Sequence, residues 1–497
     1  MNTRWTRRAA LAGLAAGAFG AREAFALDRS PLPIPRPGGP APAPSSAPAV
    51  TARSVSANLV KAAGLGGIVG YAVVDAATGA PVDAGERDIP LPPASTAKAI
   101  TALYALDQLG PDFQFETTII ATGPITNGRL EGDLVLVGSG DPLLDSDALG
   151  AMAAELKAAG LVEVKGRFLI YDRVLPWVER IAFEQPETAG YNPTITGLNL
   201  NFNRVHFEWK RAKPDYEFTL QARARNFRPA VTVSTMDIVD DRVPVFTFRQ
   251  EDGRDRWTVA RHALGNDGAR WLPVRRPVAY AGEAFQSVAR SHGIVLGQAT
   301  RTLAKPEGQL LARHRSQAMT DVLRGMLRYS TNLTAEVAGL QASASRGDMP
   351  GSLQASADRM NAWAAGRFGA SRTALLDHSG LGYGSRMTAG DMAAILTGAN
   401  RADALRPLLR PVNLGQDDKG ATVLAKTGTH NFVSALAGYV DRKDGRRLAF
   451  AIFCADAPRR NAVPIAQRER PSGSRSYANR ARRLQKDLLR HWAVTPL

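Results

Sequence analysis

Apolar positions along this chain switch between two spacings, and the switches outline its elements. From Ile68 to Val74 an apolar run predicts a strand, Ala77-Thr78-Gly79 a turn, and Pro81 onward a returning strand. At Ser95 the spacing lengthens. Ile100, Leu103, Leu106 and Leu109 recur at helical intervals until Gly110-Pro111 ends the stretch. Leu134 to Val137 reads as a short buried strand, Ala148 to Ala159 as a helix and Arg167 to Tyr171 as a strand. Between Val205 and about Trp271, alternating segments such as Val231–Thr235 and Val243–Phe248 predict a small β-rich unit. Helical spacing resumes over Gly282–Ser291 and Met319–Leu327. Three strands then follow in series: Ala421–Thr427, Phe432–Val440 and Arg447–Ala455. With Asp444-Gly445 as a hairpin signal, they predict an antiparallel meander.

Composition adds size and address. A chain of 497 residues, 44% hydrophobic and 22% charged, reads as globular with about three domains and needs no disulfides. Its single cysteine, Cys454, sits in the apolar run Leu448–Cys454 and is expected to be a buried small hydrophobe. Arg4, Arg7 and Arg8 precede the apolar run Ala9–Ala21, and Ala24-Phe25-Ala26 fits a cleavage site. Residues 1–26 therefore read as a secretory signal, and the expected location is the periplasm. Thr6-Arg7-Arg8 with Leu11 also resembles a twin-arginine signal, which implies export in the folded state. Residues 27–53, dense in Pro, Ala and Ser, read as an extended linker. No later apolar run approaches the roughly 18 residues of a membrane span.

Charge narrows the partners. The formal balance is +16, and without the signal 58 basic and 45 acidic residues leave +13. The basic residues are scattered and no aromatic platform motif accompanies them, so nucleic acid is not an expected partner. The densest stretch, Arg475 to Arg490, carries Leu484, Leu488, Leu489 and Trp492 at helical spacing. It predicts a closing amphipathic helix packed on the body, with peripheral attraction to membrane or anionic wall as the alternative. No His, Cys or carboxylate spacing resembles a metal site, and neither metal nor cofactor is expected.

Three motifs carry candidate chemistry. In Pro93-Ala-Ser-Thr-Ala-Lys98, Ser95 and Lys98 stand three residues apart at a helix start, which puts both side chains on one face. A serine hydroxyl needs a base to become a nucleophile. A lysine can be that base once burial or a second cation lowers its pKa. Tyr329-Ser-Thr-Asn332 supplies a second hydroxyl, Ser330, and an amide two residues on. Lys426-Thr-Gly-Thr429 offers a cation and the hydroxyls of Thr427 and Thr429, which suit a free carboxylate. Gly428 would let that strand lie close to the serine helix. Each motif alone is commonplace: a solvated helix start, a helix cap, a strand-end lysine.

In this order the motifs resemble the Ser-x-x-Lys, Ser-Asp-Asn and Lys-Thr-Gly signature of class A β-lactamases and penicillin-binding proteins. Ser95 and Ser330 are 235 positions apart and Ser330 and Lys426 are 96 apart, far more than β-lactamases leave between their first two motifs. The chain resembles the class C low-molecular-mass penicillin-binding proteins, the D-alanyl-D-alanine carboxypeptidase/endopeptidase group typified by penicillin-binding protein 4. The likeness runs from about Ser54 to Trp492 and includes Gly138–Leu144, Leu198–Asn203, Ser330–Glu336 and Asp377–Leu381. It implies an α+β fold: a catalytic domain with an antiparallel five-stranded sheet and helices, carrying two inserted smaller domains. The expected division is 54–115 and 296–497 for the catalytic domain and 116–295 for the insertions, with the β-rich unit near 205–271.

The resemblance implies Ser95 as nucleophile, Lys98 as general base, and Ser330 with Lys98 returning the proton to the departing amine. Lys426, Thr427 and Thr429 would hold the terminal carboxylate, Asn332 the acyl side, and the backbone N–H groups of Ser95 and Thr429 the oxyanion. The implied partners are peptidoglycan stem peptides, with β-lactam antibiotics as covalent inhibitors and at most peripheral membrane association. Glu336 and Asp377 are expected to be anchors rather than catalytic groups. His378 stands where the family usually has Gly. Phe183–Tyr191 aligns poorly with the family's side-chain subsite, which leaves Glu187 and Tyr191 as weak candidates. His430 is open between cleft and surface. The rivals are a β-lactamase sharing the three motifs and a non-catalytic wall-binding protein of the same fold.

Overall fold

The computed structural model describes residues 48–240, 244–415, 420–469 and 471–495. The expected signal and most of the expected linker lie outside them. The linker's last residues do not: Pro48 opens a helix to Ala62, a first-turn position where proline's missing N–H costs nothing.

The part expected to be catalytic is built on one antiparallel sheet, ordered Arg410–Pro411, Thr422–His430, Val433–Asp441, Arg447–Ala455, Ile68–Asp75, Pro81–Gly85. Five full strands thus match the expected sheet, and a two-residue pairing is added at one edge. Both faces of its central strands are buried, which is why Leu448–Cys454 is continuously apolar. One face, with Ala72, Val74, Ala437 and Phe453, packs under the helices Ala97–Leu109, Asn332–Ala344 and Ala389–Asn400. The other, with Val73, Phe450, Ile452 and Cys454, is covered by the C-terminal helix Ser474–Val494 through Tyr477, Leu484, Leu488 and Trp492. The basic C-terminal segment therefore spends its apolar stripe on the body, as the packed-helix reading expects.

Between the two segments of that part in the chain lies a five-stranded sheet ordered Ala299–Thr302, Phe168–Tyr171, Leu134–Val137, Glu116–Ala121, Gln309–Arg315. Two three-stranded sheets accompany it, drawn from residues 204–273. Phe207 and Trp257 from these sheets share one core with Leu136 and Ile170 of the larger sheet.

Three boundaries differ from expectation. Residues 299–302 and 309–315, expected in the catalytic part from the resemblance, form strands that pair with Phe168–Tyr171 and Glu116–Ala121 and so belong to that five-stranded sheet. The strands expected over Val231–Thr235 and Val243–Phe248 run instead over Ser234–Val239 and Phe246–Glu251, because each pairs with Arg254–Ala260 in that register. The helix expected from Gly282 begins at Pro277, again with proline in the first turn.

Among the described residues, no helix is long and apolar enough to cross a membrane.

Candidate active site

Ser95 lies in a single 3-10 turn, Ala94–Thr96, that runs into the helix Ala97–Leu109. Lys98, one turn on, is fully buried, and its Nζ is 3.0 Å from Ser95 Oγ. Two more oxygens surround that amine: Asn332 Oδ1 at 2.7 Å and the Ser379 carbonyl at 2.8 Å. A neutral lysine has two N–H donors and one lone pair. As an ammonium, Lys98 donates to all three oxygens; on losing one proton it can keep its donors on Asn332 and Ser379 and turn the lone pair to the serine hydroxyl. Burial lowers the Lys98 pKa to about 8, against the pull of Glu336 and Asp377, which raise it.

The second motif depends on a break between helices. Met319–Tyr329 ends at Ser330, whose φ of 59° and ψ of 37° are left-handed, and Asn332 opens the next helix, Asn332–Ala344. A left-handed non-glycine residue costs on the order of 1–2 kcal/mol. The sharp turn sets the Ser330 hydroxyl and the Asn332 amide beside the serine helix. Ser330 Oγ meets Lys426 Nζ at 3.0 Å. Lys426 is also buried, and burial with the nearby Lys98 charge lowers its pKa to about 7.

Gly428 explains how the third motif approaches. A Cβ there would lie 2.7 Å from the Pro93 carbonyl and 3.0 Å from the Ser95 nitrogen, so only glycine lets the strand lie this close to Ser95. Thr429 lines the resulting cleft, of about 260 Å³, with Ser95, Ser330 and Asn332. Thr427 differs from expectation. Its side chain is exposed and does not line the cleft; strand alternation turns it away from Lys426, whose amine its carbonyl accepts at 2.7 Å.

The weaker candidates separate as well. Tyr191 lines the cleft, its carbonyl accepts from Asn332 Nδ2 at 2.9 Å, and its hydroxyl reaches Gln185. Glu187 does not line it and faces Arg180. His430 is a cleft residue, with Nε2 2.7 Å from the Gly380 carbonyl, and burial lowers its pKa to about 4. Sequence reasoning missed Gln185, Arg460, Arg468 and Glu469, which complete the cleft wall from segments without a motif. Among the described residues, no cluster of three or more metal-ligating side chains occurs.

His378 is fully buried, with Nε2 2.7 Å from Ser356 Oγ, and its ring fills the space left by Gly339. A Cβ on Gly339 would stand 2.1 Å from that ring. Glycine to alanine inside a helix ordinarily stabilises by about 1 kcal/mol. Here the clash outweighs it, and Gly339→Ala is expected to destabilise by about 1–3 kcal/mol in denaturant melts. In a His378→Gly background the same change is expected to be neutral or stabilising. An equal cost in both backgrounds would rule out this steric pairing.

A serine hydroxyl beside a buried amine and a second lysine–serine pair in one cleft, on this sheet-and-helix frame, fit the fold class of the penicillin-recognising serine hydrolases. The pattern of the D-Ala-D-Ala carboxypeptidase 3 (S13) family matches residues 51–470, and the chain belongs to that family, a group of serine peptidases. The D-alanyl-D-alanine carboxypeptidase DacB of Haemophilus influenzae is 26% identical over 390 residues, 72% of this chain and 79% of the relative. The D-alanyl-D-alanine carboxypeptidase of Actinomadura sp. is 29% identical over 441 residues, 78% of this chain and 77% of the relative. The crystal structure of penicillin binding protein 4 from Haemophilus influenzae covers 88% of this chain and 99% of its own, at 21% identity and a TM-score of 0.69. It shares the fold, and a second crystal of that protein holds a β-lactam.

Proposed function

We propose that this chain removes the terminal D-alanine from peptidoglycan stem peptides through an ester on Ser95, and that it works in the periplasm after export. The observation that carries the reading is the Lys98 amine, 3.0 Å from Ser95 Oγ with its other directions filled. Ser95 attacks the carbonyl of the penultimate D-alanine and its proton passes to Lys98. The backbone N–H groups of Ser95 and Thr429 receive the oxyanion; losing one such donor typically costs about 10²–10³ in rate. Lys98 and Ser330 return the proton to the departing amine. Lys426 and Thr429 hold the terminal carboxylate, and Asn332 orients the acyl side. Water then releases the shortened peptide. A β-lactam would leave the same serine esterified, because its leaving amine stays tethered.

Wall fragments incubated with the purified chain and weighed by mass spectrometry test this. Loss of one alanine from pentapeptide stems is the expected product. Splitting of cross-linked dimers would add endopeptidase action by the same chemistry. Intact fragments combined with nitrocefin turnover on the order of tens per second, ordinary for an enzyme, would favour a β-lactamase instead.

A further inference from the structure

The third oxygen around Lys98 is a backbone carbonyl, and something must hold it there. Ser379 sits in the loop Asp377–Gly382, and two buried carboxylates grip that loop. Glu336 Oε2 accepts from the His378 N–H and Oε1 from the Ser379 N–H, each at 2.9 Å. Asp377 accepts from the N–H groups of Gly380, Leu381 and Gly382. Neither carboxylate lines the cleft. Glu336 also lies four residues after Asn332 on the same helix, hence on the same face. One helical turn therefore sets two of the three oxygens around the amine, Asn332 directly and Ser379 by way of Glu336.

We propose that Glu336 is a positioning residue for the base: its carboxylate fixes the Ser379 carbonyl that holds Lys98 and lays a buried negative charge beside that amine. The charged surroundings are few. Glu336 comes from the Asn332 helix and Asp377 from the loop, and both favour the ammonium. Lys426 comes from the sheet, and its interaction with Lys98 favours the neutral forms. His430 is held neutral by burial, and His378 likewise. Burial and the Asp377 charge push the Glu336 carboxyl up to about 8, while both of its oxygens accept backbone N–H groups, which favours the carboxylate; Lys98, Glu336 and Asp377 therefore titrate as one set. Removing the Glu336 charge takes away a stabiliser of the ammonium, so Lys98 loses its proton at lower pH.

The test rests on acylation of Ser95 and measures its second-order rate with labelled penicillin against pH. In Glu336→Gln the rising acid limb is expected to move down by about one pH unit. Its plateau is expected to fall on the order of 10–100-fold, because an amide cannot accept both loop N–H groups. Glu336→Asp, which keeps the charge on a shorter arm, is expected to return the acid limb toward its wild-type position. A lower plateau with an unmoved acid limb in Glu336→Gln would leave only a structural role and overturn the proposal. If Glu336→Gln does not fold, Glu336→Asp decides: a lower plateau with the acid limb near its wild-type position supports the proposal, and an unchanged plateau overturns it. A wild-type chain that takes up no penicillin would instead sink the functional reading itself.

Discussion

Ser95→Ala is expected to fold normally, capture no labelled penicillin and release no D-alanine. The side chain removed is small and only partly buried, and its hydroxyl meets Lys98 and no core group, so stability should change by no more than about 1 kcal/mol. The chemistry has no substitute. In serine hydrolases, losing the nucleophile costs on the order of 10⁶ in turnover. Ser330, Thr429 and Ser474 also line the cleft, and Lys98 is not placed to activate them as it is Ser95. Gel labelling and peptide mapping check this directly. Persistent covalent label in the variant would move the nucleophile to another hydroxyl.

Lys98→Met is expected to slow acylation by about 10²–10⁴, the range of a general base, while the final stoichiometry of labelling stays the same. The nucleophile survives, so the reaction is delayed rather than lost. Methionine suits the site because its length approximates lysine's. It leaves Asn332 Oδ1 and the Ser379 carbonyl without their donor but relieves the burial of an amine. These terms oppose each other, and thermal melts should move little. Stopped-flow acylation rates decide the matter. A near-normal rate would take Lys98 out of the base role and turn attention to Lys426, the other buried amine, 3.0 Å from Ser330.

Much of this was legible before the fold was known. The sheet strands and the serine helix follow from apolar spacing, and the three motifs from residue type and order. The helix Ala389–Asn400 was not legible, because small residues buried on most sides leave no stripe to read. The strands at 299–302 and 309–315 show the other failure. Neither was read as a strand, and their partners lie far back in the chain at 168–171 and 116–121.

The sequence by itself determined the local half of the chemistry: Ser95 and Lys98 meet because one helical turn brings residues three apart onto one face, whatever surrounds them. Only the tertiary structure decided what completes that pair. The Ser379 carbonyl stands 281 positions from Lys98 and the Asn332 amide 234 positions away. Contacts of that span depend on how whole cores pack, which no spacing along the chain encodes. The same packing buries the amine, and burial is what brings the pKa of an ordinary lysine down toward neutral.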